Sequence, residues 1–276
     1  LYLDQYYTNG LNIFYKQVGT KIVPLFDKKI HYFNAGQKMY NPYYSNIKVI
    51  ANQDRPYAGY IYASYAQQFI SSKHLLKLGI DIGVTGKKSK AEEAQNFIHQ
   101  FYNIQASDGW NTQIKEIFNF GMHLEYVQSL LYNPEHFFQL SWTNNANFST
   151  VFTNISSGLA FKFNTGKNNT LGIDNSSFLG TSLQSKNESW FKECYLGIKS
   201  FISYQITDKT VTGKLANNPL KKSFNTKPWV WHNDIGYYWN LKNWNVSYHQ
   251  IFHTKNTQEL RKKWIRHGSI QLSYKF

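Results

Sequence analysis

What the sequence lacks narrows its class before any motif is read. It carries a single cysteine, Cys194, so an internal disulfide framework is excluded and the chain suits either a reduced compartment or a protein that does without bridges. No apolar run reaches the roughly eighteen residues of a membrane-spanning helix, and the front lacks the charged-then-apolar pattern of a signal sequence. G-x-S-x-G is absent, which leaves a nucleophile-elbow serine hydrolase without its motif. H-E-x-x-H is absent too, and His249 and His253, four apart on an alternating strand, are placed too far from each other to share a zinc ion easily. No glycine loop for a dinucleotide or a phosphate is present. Acidic residues are scarce, 16 Asp and Glu against 30 Lys and Arg, for a net charge of +14. That excess asks for an anionic partner, meaning nucleic acid, an acidic membrane surface or a phosphorylated lipid.

What is present is aromatic and alternating. The mean hydropathy of −0.51 would suit a soluble protein, yet 18% of residues are aromatic, 21 of them Tyr and 8 Trp, more than one soluble core needs to bury. Leu76, Leu78, Ile80 and Ile82 alternate with Lys77, Gly79, Asp81 and Gly83; Phe118, Phe120, Met122 and Leu124 alternate with Asn119, Gly121 and His123; Ile270, Leu272 and Tyr274 alternate with Gln271, Ser273 and Lys275. A soluble sandwich also alternates. Two features favour an antiparallel transmembrane β-barrel: strands near the ~9–11 residues needed to cross a bilayer at a tilt, and a polar face of small and charged residues suited to a lumen. The aromatics lie along strands and do not cluster with basic loops as stacking platforms, which argues against nucleic acid. With 276 residues the chain is expected to form one all-β domain over 1–276.

Strands are expected near 10–16, 30–40, 57–69, 74–85, 116–130, from 137, 151–164, 190–205, 229–241, 244–253 and 268–276. That is about eleven, whereas single-chain bacterial barrels have even numbers. The expectation is therefore a barrel of about twelve strands whose first lies before Leu1. Short turns (Ser71–Lys73, Tyr132–Glu135, Lys242–Asn243) then share the periplasmic side, and the long loops gather on the outer rim. The connection Thr165 to Glu188 is long and falls on the wrong side; nothing in the pattern accounts for it. The final Phe276 resembles the assembly signal of bacterial outer-membrane barrels.

One segment, Lys87 to Gln113, breaks the alternation. Ser89 and Glu92 form an S-x-x-E capping box, so a helix is expected to start there with Ala91, Ala94, Phe97, Ile98 and Phe101 as its buried face. Glu92, Gln95 and His99 share another face, which on its own reads as a solvated surface.

Three stretches on the outer rim carry a resemblance. Asp4–Gly10 resembles a D-x-x-Y-T-N-G motif, Asp54–Gly59 matches D-R-P-Y-A-G, and Glu93–His99 with Gly109–Gln113 matches an E-x-Q-x-x-x-H and G-W-x-x-Q pair. Together they resemble the LpxR-like lipid A 3′-O-deacylases, twelve-stranded outer-membrane barrels, over essentially the whole chain. The resemblance implies hydrolysis of an ester-linked acyl chain of lipid A, within lipopolysaccharide, by a monomer among outer-membrane lipids. A His takes a proton from water while Ca²⁺ holds the carbonyl oxygen as it becomes an oxyanion, roles a neutral imidazole and a hard cation can fill. Carried over by motif, His99 is the base and Thr8 the active-site threonine; Gln95, one turn before His99 and so on its face of the helix, is inferred to orient the base or the water. Lys48, Arg55 and Tyr57 are substrate-binding candidates, Arg55 having the alternative of pairing with Asp54 to brace a loop. The family's Asn-Asp pair on the first strand precedes the point where this sequence begins, which leaves Asp4 and Thr8 as candidate metal ligands. The basic residues of the outer loops, among them Lys209, Lys214, Lys221, Lys222, Lys255 and Arg261, are expected to face lipid A phosphates or to be solvated. A non-catalytic barrel, either a narrow pore or a surface-binding protein, and a phospholipase-type esterase are the alternatives.

Overall fold

The computed structural model describes residues 6–19, 24–44, 49–71, 73–103, 105–132, 138–164, 191–241 and 243–274, the side chains at 7–9, 132, 164 and 191–193 excepted. It contains β1 (Tyr6–Val18), β2 (Lys28–Asn41), β3 (Ala58–Ile70), β4 (His74–Thr85), α1 (Ala91–Phe101), β5 (Phe118–Tyr132), β6 (Phe138–Ser149), β7 (Phe152–Asn164), β8 (Phe191–Asp208), α2 (Lys209–Thr212), β9 (Trp229–Leu241), β10 (Trp244–Thr254) and β11 (Trp264–Tyr274). The eleven strands form one sheet in strict sequence order, each antiparallel to the next. Every strand read from alternation is therefore present. β1 and β11 run in the same direction and meet at the outer rim, where Tyr6 packs with Leu260 and Ile265.

The period-two pattern determines what faces outward. On β4 and β5, Ile80, Ile82, Phe118, Phe120 and Met122 are exposed, Phe120 at 65%, while Lys77, Asp81 and His123 line interior cavities. A band of exposed large apolar residues around a polar interior is what a lipid-facing barrel requires and a soluble one avoids. Inside, Asp234 lies 2.9 Å from His249 and Asp81 lies 3.7 Å from His123. Among the described residues no helix is long and apolar enough to cross a membrane.

At the outer mouth the loops divide between the two faces of the wall. Ile50, Ala58, Ile114, Val211, Leu215 and Phe224 form an apolar cluster over the interior. A second cluster, Met39, Tyr57, Ala91 and Trp110 with Ala94, lies on the other face. Met39 pairs with Gly59 in register, on the same side as Ala35 and Ile61. A Cβ on Gly59 would collide with Ser89 and Ala91, so α1 rests against the outside of the β2–β3 wall and only glycine leaves room for it.

Two helix expectations are corrected. The capping box does not form: Ser89 ends a 3₁₀ turn (Gly86–Ser89), its Oγ donates to the Gly86 carbonyl at 2.6 Å, and Lys90, with a left-handed φ of 57°, precedes the helix. The buried face is also rotated. Ala91 is buried and Ala94 packs beside it as expected, but Gln95 and His99 are buried with them, while Phe97 and Phe101 are 70% and 75% exposed. The physical reason is location: at the membrane boundary an aromatic face turned outward meets lipid, and the polar face is the one to be enclosed. The segment 165–188, whose length was unexplained, lies outside the described residues.

Candidate active site

The site is built where α1, its following loop and the β2–β3 connection close on one another. His99, 4% exposed, sits in the last turn of α1. Its Nδ1 lies 2.8 Å from the Gln105 carbonyl oxygen. A carbonyl only accepts, so Nδ1 donates this bond, the tautomer that places the lone pair of a neutral imidazole on Nε2. One turn earlier Gln95, 3% exposed, accepts a hydrogen bond from the indole Nε1 of Trp110 at 2.6 Å. Trp110 packs on Tyr57 with ring centroids 5.3 Å apart, and Gly109 passes so close that a side chain there would strike the Tyr57 ring. The loop is closed by Thr112, whose Oγ donates to the Gly109 carbonyl at 2.8 Å and accepts from Gln53 Nε2 at 2.9 Å. The E-x-Q-x-x-x-H and G-W-x-x-Q motifs are thus one packed unit, and the Y and G of D-R-P-Y-A-G are its floor.

The preceding residues of that block fasten the rim. Asp54 accepts from the Tyr6 hydroxyl at 2.8 Å, from the Tyr43 amide at 2.9 Å and from the Arg261 amide at 3.2 Å. It joins β1, the β2–β3 connection and the β10–β11 loop through one carboxylate. Tyr6 holds a left-handed backbone, φ 62°, unusual for a bulky residue and maintained here by these bonds. Arg55 does not pair with Asp54 in a salt bridge. It is buried, lies 4.5 Å from the centre of the Tyr40 ring, and burial pushes its pKa down while Asp208, foremost among its charged neighbours, opposes the shift. Asp208 is occupied at the start of α2, accepting from the Thr210 amide at 2.9 Å and its hydroxyl at 2.6 Å.

The residues singled out from sequence separate accordingly. His99, Gln95 and Tyr57 come together; Arg55 lies on the interior side with Tyr40, and both Arg55 and Tyr57 are enclosed, at 2% and 0% exposure. Thr8 lies at a bulge, since the register slips between Tyr7 and Asn9 and Asn9 pairs with Met39. Its backbone is therefore next to the Met39 that packs α1. Asp4 and Lys48 lie outside the described residues. Lys222, expected among the phosphate-facing cations, instead donates to the Ala51 and Gln53 carbonyls, and Lys255 donates to the Gln258 carbonyl at 2.9 Å. Lys214, Lys221, Arg261, Lys262, Lys263 and Arg266 remain exposed. Glu92, on α1, has its pKa raised by burial and then by Glu93, while Glu93 is held down by the Lys90 ammonium 2.9 Å away.

Calcium takes six to eight oxygen ligands, with carboxylates prominent among them. Among the described residues no cluster of three or more His, Cys, Asp or Glu side chains could hold a metal ion, and Asp54 is already spent on three donors. The side chains seen here do not make up a calcium cage.

Sequence reasoning assigned no role to Trp110 or Gln37. Gln37 donates to the Ser89 carbonyl at 2.6 Å from the outward face of β2. A polar residue within the outward run Phe33, Ala35, Gln37, Met39 was the available signal.

The family described as "Outer membrane protein LpxR" matches residues 1–276. Among solved structures, LpxR from Salmonella typhimurium superposes with a TM-score of 0.81 at 15% identity, covering 99% of this chain and 90% of that one, a likeness of fold. Among curated proteins none matches. The match of the family's model over residues 1–276 places the chain in the LpxR family of outer-membrane proteins, whose fold the eleven-stranded sheet shares.

Proposed function

We propose that the chain is a lipid A deacylase: an esterase that hydrolyses an ester-linked acyl chain, of the 3′-acyloxyacyl type, from lipid A in the outer leaflet. The observation that carries this is the enclosed polar face of α1, where His99 is fixed through Nδ1 to the Gln105 carbonyl on the outer side of a lipid-facing wall. In this reading Nε2 of His99 takes a proton from water as the oxygen attacks the ester carbonyl. The tetrahedral oxyanion then collapses, the bond to the alkoxy oxygen breaks, and the imidazolium returns its proton to the departing alcohol. The acyl group leaves as a carboxylic acid. Gln95 acts as a positioning residue through Trp110, and Thr8, whose backbone lies at the bulge next to Met39, is assigned to the attacked carbonyl. The exposed cations of the 214–266 loops give anionic headgroups a surface to approach. A calcium requirement belongs to the same proposal with its own test; no step above passes through the ion, because the described residues supply no cage for it. The apolar cluster over the interior argues against the narrow pore.

The test is mass spectrometry of lipid A incubated with the protein in detergent, with Ca²⁺ and with chelator. Loss of one acyl or acyloxyacyl mass by the parent protein, and none with a heat-modifiable His99→Ala variant, is the expected result. Hydrolysis by His99→Ala would remove His99 from the mechanism. Hydrolysis that persists in chelator would remove calcium.

A further inference from the structure

Below α1 the membrane-facing wall dips. In register, one outward row reads Ile13, Ala35, Ala63, Ile82 and Phe120 across β1 to β5. Its two alanines floor an open apolar groove of about 840 Å³, with Leu11, Ile13, Ile82 and Phe118 standing at its sides. In the row beneath, Phe33 and Tyr65 pair in register with ring centroids 5.0 Å apart. At its upper end stands Gln37, whose Nε2 bonds the Ser89 carbonyl and so ties the head of the groove to the turn that leads into α1. From Gly59, under the first turn of α1, to Ala63 is four residues along β3, roughly 14 Å.

We infer that this groove seats the acyl chain of the ester on which His99 acts, and so selects substrate by chain length. The inference rests on the deacylase reading and goes beyond it by assigning the specificity-determining surface to Ala35 and Ala63. The occupant is hydrocarbon because the groove belongs to the lipid-facing belt: Leu11, Ile13, Ile61, Ile82, Val84 and Phe118 make up most of its lining, with Gln37 at its head. One chain in extension fits a floor two alanines wide. Gln37 ties the head of the groove to the turn before α1, so a chain held beside the helix has this depression in the wall beneath it.

Two measurements test it. The first compares Ala63→Phe with the parent on lipid A analogues whose ester-linked chain is progressively shortened. Filling the floor lowers kcat/KM about tenfold or more on the long chain, and the loss shrinks as the chain shortens; Ile202→Phe, on the lipid face of β8, changes nothing. An equal loss at every length would overturn the inference. The second needs no turnover: a phospholipid carrying a photoreactive diazirine near its acyl terminus is cross-linked to the His99→Ala barrel in micelles. Labelling concentrates on β1–β5 near Ala63, and Ala63→Phe abolishes that concentration; even labelling around the barrel overturns the groove. If the parent protein hydrolyses no lipid A, the deacylase reading fails, and the labelling pattern still decides whether the groove holds a chain.

Discussion

At the scale of single residues, burial assigned roles that residue type alone left open. Gln95 reads in sequence as one polar position on a solvated face; in the fold it is the acceptor for the Trp110 indole at 2.6 Å. Trp110→Phe keeps most of the ring and removes that donor. A buried acceptor that loses its partner costs about 1–3 kcal/mol, and here the cost falls on the loop that carries the Gln105 carbonyl. Amide hydrogen exchange of α1 should therefore accelerate by roughly 5- to 150-fold, the strands keeping their protection, and kcat should fall more than KM rises. Unchanged exchange in α1 would show that packing on Tyr57 alone positions the loop. His99, Gln95 and Tyr57 were legible because the motifs bring them out by type and spacing. The asymmetric fates of Asp54 and Arg55 were not. Adjacent in sequence and opposite in charge, they suggest a pair, but their side chains take different partners, Asp54 bonding Tyr6 and Arg261 while Arg55 lies on Tyr40.

At the scale of elements, the strands declared themselves because a one-residue slip would turn every apolar side chain inward, and their eleven ranges match expectation to within a few residues. α1 was legible in extent and misread in orientation. Its small members Ala91 and Ala94 pack on the wall as expected, whereas Phe97 and Phe101 turn out and Gln95 and His99 turn in; burying the aromatics is a rule that holds when the surroundings are water, not beside a bilayer. The cap failed for a local reason: Ser89 is 0% exposed and bonded back to Gly86, so its hydroxyl is unavailable to α1. The contact that seats the helix is Gly59 against Ser89 and Ala91. Gly59→Ala should lift the first turn of α1 from the wall. Because β3 keeps its ladder, the variant is expected to remain a heat-modifiable barrel while hydrolysis falls by about two orders of magnitude, the scale expected when a base is displaced by ~1 Å. Full activity in Gly59→Ala would show that α1 tolerates the displacement.

At the scale of the whole molecule, the wall separates two compartments with different chemistry. The outer side holds α1, His99 and an apolar groove; the inner side holds polar cavities of about 360 and 500 Å³ that share Lys77, His123, Asn147 and Asn154. A barrel with such an interior invites the reading of a channel, and the alternation in the sequence is the same for both. What distinguishes them is long-range: Ile50, Ile114, Val211, Leu215 and Phe224 come from four separate stretches of chain to cover the outer mouth, and Lys222 fastens the cover to the carbonyls of Ala51 and Gln53. No local pattern announces such a cluster, since its members lie in short, separate stretches of mostly polar loops. Its consequence is electrical. In a planar bilayer in molar salt the parent protein should show no steady current steps, because a dry apolar constriction excludes hydrated ions. Replacing Leu215 and Phe224 together by Ala removes two buried apolar side chains from the cover and should admit current through the polar cavities, with α1 and its hydrolysis unaffected on the far side of the wall. Steps of porin size from the parent protein would mean that the cluster does not seal the mouth, and would return the pore to first place.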